Sequence, residues 1–191
     1  MSLSVLGMEL TLTWDLFILV FFLIIVSYSV MIGKDQTLKV ILSSYIAILA
    51  SDAVSSIVSR VVFGSAVSGV LVIPSEQKAL ILIKIALFVF LTVALTTRGA
   101  FEILVADERS PFIRMMMTFA YGILSAGLII STILVYISGA SLIGTATASG
   151  NPIEDIASTS RLVQLMIQNY AVWFSLPALA FVVASLFGSE S

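Results

Sequence analysis

The sequence predicts an all-α fold, a polytopic transmembrane helical bundle of four or five spans, and three observations predict it. Hydrophobic residues make up 60% of the 191-residue chain and charged residues only 10%, against roughly 25% charged in an ordinary soluble domain, and the mean hydropathy is +1.17. So little polar surface cannot cover a water-soluble globule, so lipid must be the solvent for much of it. Apolar runs of about 20 residues, the length that carries a helix across ~30 Å of hydrocarbon, recur along the chain. Turn and cap residues punctuate them: Gly33-Lys34, Pro74-Ser75, Ser110-Pro111 and Asn151-Pro152. Read as one membrane domain over 1–191, the chain has expected spans at about 14–33, 38–63, 78–98, 112–138 and 161–187, with an exposed loop at about 139–160.

The first span, from Trp14 to Ile32, is almost purely apolar. Thr13 can cap its start and Asp15 sits in its first turn, where the helix dipole favours an acid. No Lys or Arg precedes it and no small-x-small site ends it, so it reads as a retained span, not a cleaved signal. Gly33 and the polar Lys34-Asp35-Gln36 end it. The second span, from about Leu38 to Phe63, is polar on one side. The third starts near Ser75 and runs to about Thr97, with Lys84 able to snorkel to the interface. The segment Arg98 to Arg114 holds Glu102, Asp107, Glu108 and Arg109 and reads as a water-side connection. Ser110 as cap and Pro111 as first residue then open the fourth helix.

The tail admits two readings. After the small, polar stretch SGASLIGTATASGNP, Tyr170 to Phe187 is apolar for about 18 residues despite Pro177, just enough to cross. We read it as a fifth span; an amphipathic helix leading into a re-entrant segment is the alternative. Placing the N-terminus outside puts Lys34, Lys39, Arg98, Arg109 and Arg114 in the cytoplasm, and Arg60, Lys78, Lys84 and Arg161 toward the opposite side. The positive-inside rule then favours that orientation.

Composition also bounds chemistry. The net charge is −2 with scattered Lys and Arg, which leaves no basic stripe for nucleic acid. The chain has no Cys and no His, which excludes disulfides, thiolate chemistry and the commonest metal ligand and general base. No phosphate loop, dinucleotide fingerprint or zinc motif is present. Glu102, Asp107 and Glu108 alternate with Arg98, Arg109 and Arg114, so a charge-balanced solvated loop explains them more simply than carboxylate catalysis. No catalytic, cofactor or metal residues are expected, and the chain is expected not to be an enzyme.

Two stripes of the second helix need explaining. Ser43, Ala47, Ser51, Ser55 and Ser59 recur every four residues, and such small faces let helices approach closely in lipid. Gly122, Ala126, Gly127 and Ser131 offer a matching surface on the fourth helix, so a close contact between helices two and four is expected. Beside the first stripe run Ser44, Asp52, Ser56 and Arg60. An Asp at mid-helix costs ~2.5–3.5 kcal/mol on insertion scales and normally faces a bundle interior with a partner. Asp52, Ser56 and Arg60 are therefore the candidate intramembrane polar site. Asp52 is either a proton or cation site or an ion-pair anchor for Arg60, Arg98, Arg114 or Lys84. Trp14, Tyr28, Tyr121, Tyr136, Tyr170 and Trp173 fit interfacial anchoring or packing.

Trp14-Asp15-Leu16 through Ile32-Gly33-Lys34, then Lys39, and later Arg114-Met115 through Ala120-Tyr121-Gly122 to Ala126-Gly127, resemble the colicin V production protein family of bacterial inner-membrane proteins. The resemblance runs from about Leu12 to Gly139. It departs from the family at the Gly33 to Thr37 turn, which lacks the usual Arg-Gly pair, at a Gly replaced early in the fourth helix, and in the Ser/Thr-rich loop and apolar tail. It implies a multi-pass inner-membrane protein connected with export, envelope homeostasis or surface growth, and carries no catalytic residues. Combined with the small-residue faces, it points to a subunit that forms a homo-oligomer or joins other membrane-protein subunits in the bilayer. An ion- or proton-conducting subunit using Asp52 is the alternative, although neither repeated halves nor broken helices are clear in the sequence.

Overall fold

In the computed structural model, residues 3–5, 8–10, 14–62, 74–99, 111–138 and 160–187 are described. Among them are six helices, four of which are individually long and apolar enough to cross a membrane. They are α1 (Trp14–Ile32), α2 (Lys34–Val62), α3 (Pro74–Arg98), α4 (Pro111–Ile137), α5 (Arg161–Gln168) and α6 (Tyr170–Phe187). A short antiparallel hairpin, β1 (Leu3–Val5) with β2 (Met8–Leu10), precedes them and pairs Leu3 with Leu10 and Val5 with Met8. The expected exposed loop lies outside the described residues except at Ser160, as do residues 100–110 of the charged connection.

α2 begins four residues earlier than its apolar run, because one residue makes the turn. Gly33 takes a φ of 84°, the left-handed conformation that glycine adopts without a Cβ clash. Its N–H closes α1 on the Ser29 carbonyl at 3.0 Å. The Thr37 hydroxyl then donates to the Gly33 carbonyl at 2.8 Å and approaches that of Ser29 at 3.3 Å. Each carbonyl also accepts a backbone N–H, Ser29's from Gly33 and Gly33's from Thr37 at 3.1 Å, so the hydroxyl adds a second bond that tightens the turn.

α4 is the central helix and touches α1, α2, α3, α5 and α6. Its middle is buried through Ser125, Ala126, Leu128, Ser131 and Thr132, whereas Phe112, Met115 and Met116 near its start are exposed. One apolar cluster gathers Leu38, Ile41 and Ile48 of α2, Phe88 of α3, and Leu128 and Tyr136 of α4. A second gathers Ile18 of α1, Ile130 and Leu134 of α4, and Val163 and Met166 of α5. α1 and α3 are peripheral, and their outer faces expose Phe17, Leu23 and Met31, and Leu82, Phe90 and Val93.

The glycines of α4 do not face the serine stripe as the sequence suggested. A Cβ on Gly122 would stand 3.0 Å from Ser29 Cβ of α1, and one on Gly127 would stand 2.0 Å from Trp173 Cε3 of α6. α4 thus spends its smallest residues on α1 and α6. Its contact with α2 is made instead by larger side chains, Tyr136 among them.

The tail breaks at Asn169, not at Pro177. α5 and α6 meet at 63° and make a fifth span if the bent pair is counted as one. Asn169 ends α5 by donating both its N–H and its side-chain amide to the Leu165 carbonyl, while its own carbonyl accepts from Val172 and Trp173 and starts α6. Pro177 stays inside α6. It removes the N–H that would bond four residues back, and within that loosened turn the Tyr45 hydroxyl of α2 donates to the Phe174 carbonyl.

Because the Trp173 ring occupies the space a side chain would need, Gly127→Ala should cost about 1–3 kcal/mol through overpacking. The double variant Gly127→Ala/Trp173→Ala should lose less than the sum of the singles. Thermal unfolding in detergent checks this, and strict additivity would contradict the contact.

Candidate functional site

The intramembrane acid is held by a cation from the neighbouring helix. Asp52 lies ten residues before the end of α2 and Lys84 ten residues after the start of α3, the pairing of an antiparallel hairpin. The Lys84 ammonium stands 2.8 Å from Asp52 Oδ1. Asp52 is 3% exposed, and the Lys84 side chain 16%. The contact is an ion pair: neither carboxylate oxygen has an aligned hydrogen-bond donor among the described residues.

Aromatic groups close the pair in. Lys84 Nζ lies 5.2 Å from the centre of the Tyr136 ring, where the ring quadrupole attracts a cation. Phe88, one turn after Lys84, meets the same ring edge-on at 6.0 Å. The Tyr136 hydroxyl is 2.8 Å from Ser51 Oγ and 3.3 Å from the Ile48 carbonyl, to which Ser51 also donates. Tyr136 is fully buried. In so apolar a setting Coulomb attraction is strong, but so is the desolvation penalty of each ion, and the pair persists because the partners neutralise one another.

The residues singled out from the sequence fall as follows. Ser43, Ala47, Ser51 and Ser55 are all buried within this one chain, as are Ser44 and Asp52. Ser55 and Ser56 both donate to the Asp52 carbonyl, so Ser56 acts on the backbone of α2. Ser59 and Arg60 stand in α2, but their side chains lie outside the described residues. Of the four cations weighed as partners, Lys84 is the one in contact among the described side chains, and it turns inward instead of snorkelling. Tyr136 was legible only as an aromatic near a helix end; nothing in its spacing announced a bond to Ser51.

Asp15 makes a second polar contact. It lies in the first turn of α1, yet its Oδ1 accepts from the Ser160 hydroxyl at 2.6 Å and from the Leu162 N–H at 3.1 Å. Ser160 in turn caps α5 by accepting from Val163 N–H at 3.1 Å. One carboxylate therefore serves the positive ends of two helices and ties the tail to α1.

Comparison with protein-family models, with curated proteins and with solved structures returns no match. The chain is a multi-span helical membrane protein.

Breaking the ion pair from one side leaves a buried charge alone. Lys84→Met should destabilise by about 3–5 kcal/mol, and adding Asp52→Asn should recover most of the loss. A double-mutant cycle read by thermal unfolding in detergent tests this; independent, additive effects would contradict it. Asp15→Ala should cost about 1 kcal/mol and speed hydrogen exchange at the Leu162 amide. Unchanged exchange there would show that the carboxylate does not hold α5.

Proposed function

We propose that the chain is a non-enzymatic membrane subunit that serves as a scaffold in a larger export or envelope assembly. The observation that carries this reading is that the intramembrane acid is neutralised within one copy, Asp52 against Lys84 at 2.8 Å. A carboxylate spent on an ion pair and shut in by Tyr136 and Phe88 is a helix lock more readily than a transport site. The resemblance of the stretch from about Leu12 to Gly139 to the colicin V production family adds the class of assembly and a bacterial inner membrane, and the distribution of Lys and Arg adds an orientation with the N-terminus outside.

The serine stripe does not serve assembly in this reading. Ser43, Ser51 and Ser55 are already buried against the chain's own helices. Ser51→Leu should therefore damage the fold before it touches any oligomer. Subunit contacts would use the outer apolar faces of α1 and α3.

The second reading, an ion- or proton-conducting subunit, draws on one observation: Asp52 Oδ2 has no hydrogen-bond partner among the described residues. One experiment separates the two. Extracted from its native membrane in polymer nanodiscs, the protein should migrate as a particle well above its own 20.5 kDa plus lipid, and purified into vesicles it should leave their ion gradients intact. A monomeric particle whose vesicles leak protons, with the leak abolished by Asp52→Asn, would overturn the scaffold and support conduction.

A further inference from the structure

Hydroxyls in these helices ordinarily bond to their own backbone one turn back. Ser44 donates to the Val40 carbonyl at 2.8 Å, Thr118 to Arg114 at 2.8 Å and Thr132 to Leu128 at 2.7 Å. Five buried hydroxyls break this habit. Ser43 of α2, Thr92 and Thr96 of α3, and Ser125 and Ser131 of α4 have no hydrogen-bond partner among the described residues. Ser43, Ser125 and Ser131 are completely buried. A hydroxyl shut away from water without a partner is costly, and five on three adjoining helices are not explained by packing alone.

Helix register brings them to one depth. Thr37 reaches the Ser29 carbonyl and Ser29 meets Gly122, while Ser51 meets Tyr136. Thr37 to Ser51 and Gly122 to Tyr136 are both fourteen residues, so α2 and α4 run parallel at constant offset. Ser43 is then level with Leu128, between Ser125 and Ser131. In the α2–α3 hairpin, the Asp52–Lys84 pair sets Thr92 opposite Ser44 and Thr96 about one turn further on. The cluster lies ~13 Å along α2 from Asp52, on the side of the α1–α2 turn.

The geometry points to bound water as the ligand of this level: water molecules held by Ser43, Thr92, Thr96 and Ser125 where α2, α3 and α4 meet, and by Ser131 one turn after Gly127, on the side of α4 toward α6. Water supplies both a donor and acceptors in a small volume, and buried waters characteristically bridge two to four polar groups that lack other partners. Ala47, fully buried between Ser43 and Ser51, keeps the facing side of α2 small. The Asp52 carboxylate, with its unpartnered oxygen, takes water by the same chemistry one level away. This hydration is independent of the scaffold role, since it concerns what fills the bundle and not what docks against it.

Water-edited solid-state NMR on the full chain in lipid bilayers tests it. Magnetisation from water should reach the Cβ atoms of Ser43, Ser125 and Ser131 several-fold faster than it reaches lipid-facing Leu23 and Phe90. Equal, slow build-up at all five would overturn the inference. The triple variant Ser43→Ala/Ser125→Ala/Ser131→Ala gives an independent thermodynamic sign. Removing water-bridged hydroxyls should lower the melting temperature, whereas removing dry, unpartnered ones would raise it and refute bound water.

Discussion

A carboxylate carried into a membrane by its own helix must meet a cation, a donor or water before that helix can settle, and in this chain Asp52 meets Lys84. The pair fixes the depth of α3 against α2, since sliding either helix by one turn would move the charges ~5 Å apart and leave both facing apolar groups. Lys84 and Phe88 on one face of α3 then determine where the Tyr136 ring sits, and its hydroxyl fixes α4 against Ser51. Three helices are thus indexed to one another by polar contacts that lipid makes expensive to break. Without such contacts, helices in a bilayer have no hydrophobic drive to choose one register over another.

The remaining elements attach to this frame by different means. α1 comes close to α4 through Gly122 and Ser29, where the absence of a side chain lets the helices approach. α6 docks by laying Trp173 over Gly127, and Tyr45 ties it to α2 near Pro177. α5 is held by Asp15, whose carboxylate joins two helix starts far apart in sequence. The result is a bundle that buries Ser43, Ser44, Ser51 and Asp52 of α2 and Ser125, Ser131 and Thr132 of α4, while the outer faces of α1 and α3 expose large apolar side chains.

Much of this was written locally in the chain. Length and hydropathy set the four spans, Ser110-Pro111 marked the start of α4, and Gly33 marked the first turn, because each depends on properties of a few adjacent residues. Burial of Ser43, Ala47, Ser51 and Ser55 also followed from their four-residue spacing. Partner choice did not follow. Lys84 was one of four candidate cations for Asp52, and Gly122 and Gly127 looked suited to α2 although they serve α1 and α6. Asp15 read as a cap for its own helix, since its bond to Ser160 crosses 145 residues. Periodicity tells which side of a helix is small or polar, but it carries no label for the neighbour; that is decided by packing among all the helices at once. The break at Asn169 was hidden for a related reason: Pro177 is the stronger breaker by composition, yet two backbone bonds to the Asn169 carbonyl determine the bend.

The most direct measurement exchanges the charges. Asp52→Lys and Lys84→Asp as single variants should each fail to accumulate in the membrane or melt far below the parent, and the combined exchange should restore both accumulation and melting temperature to near the parent's. Single variants as stable as the parent, or an exchange no better than either single, would contradict the claim that this ion pair sets the register of the bundle.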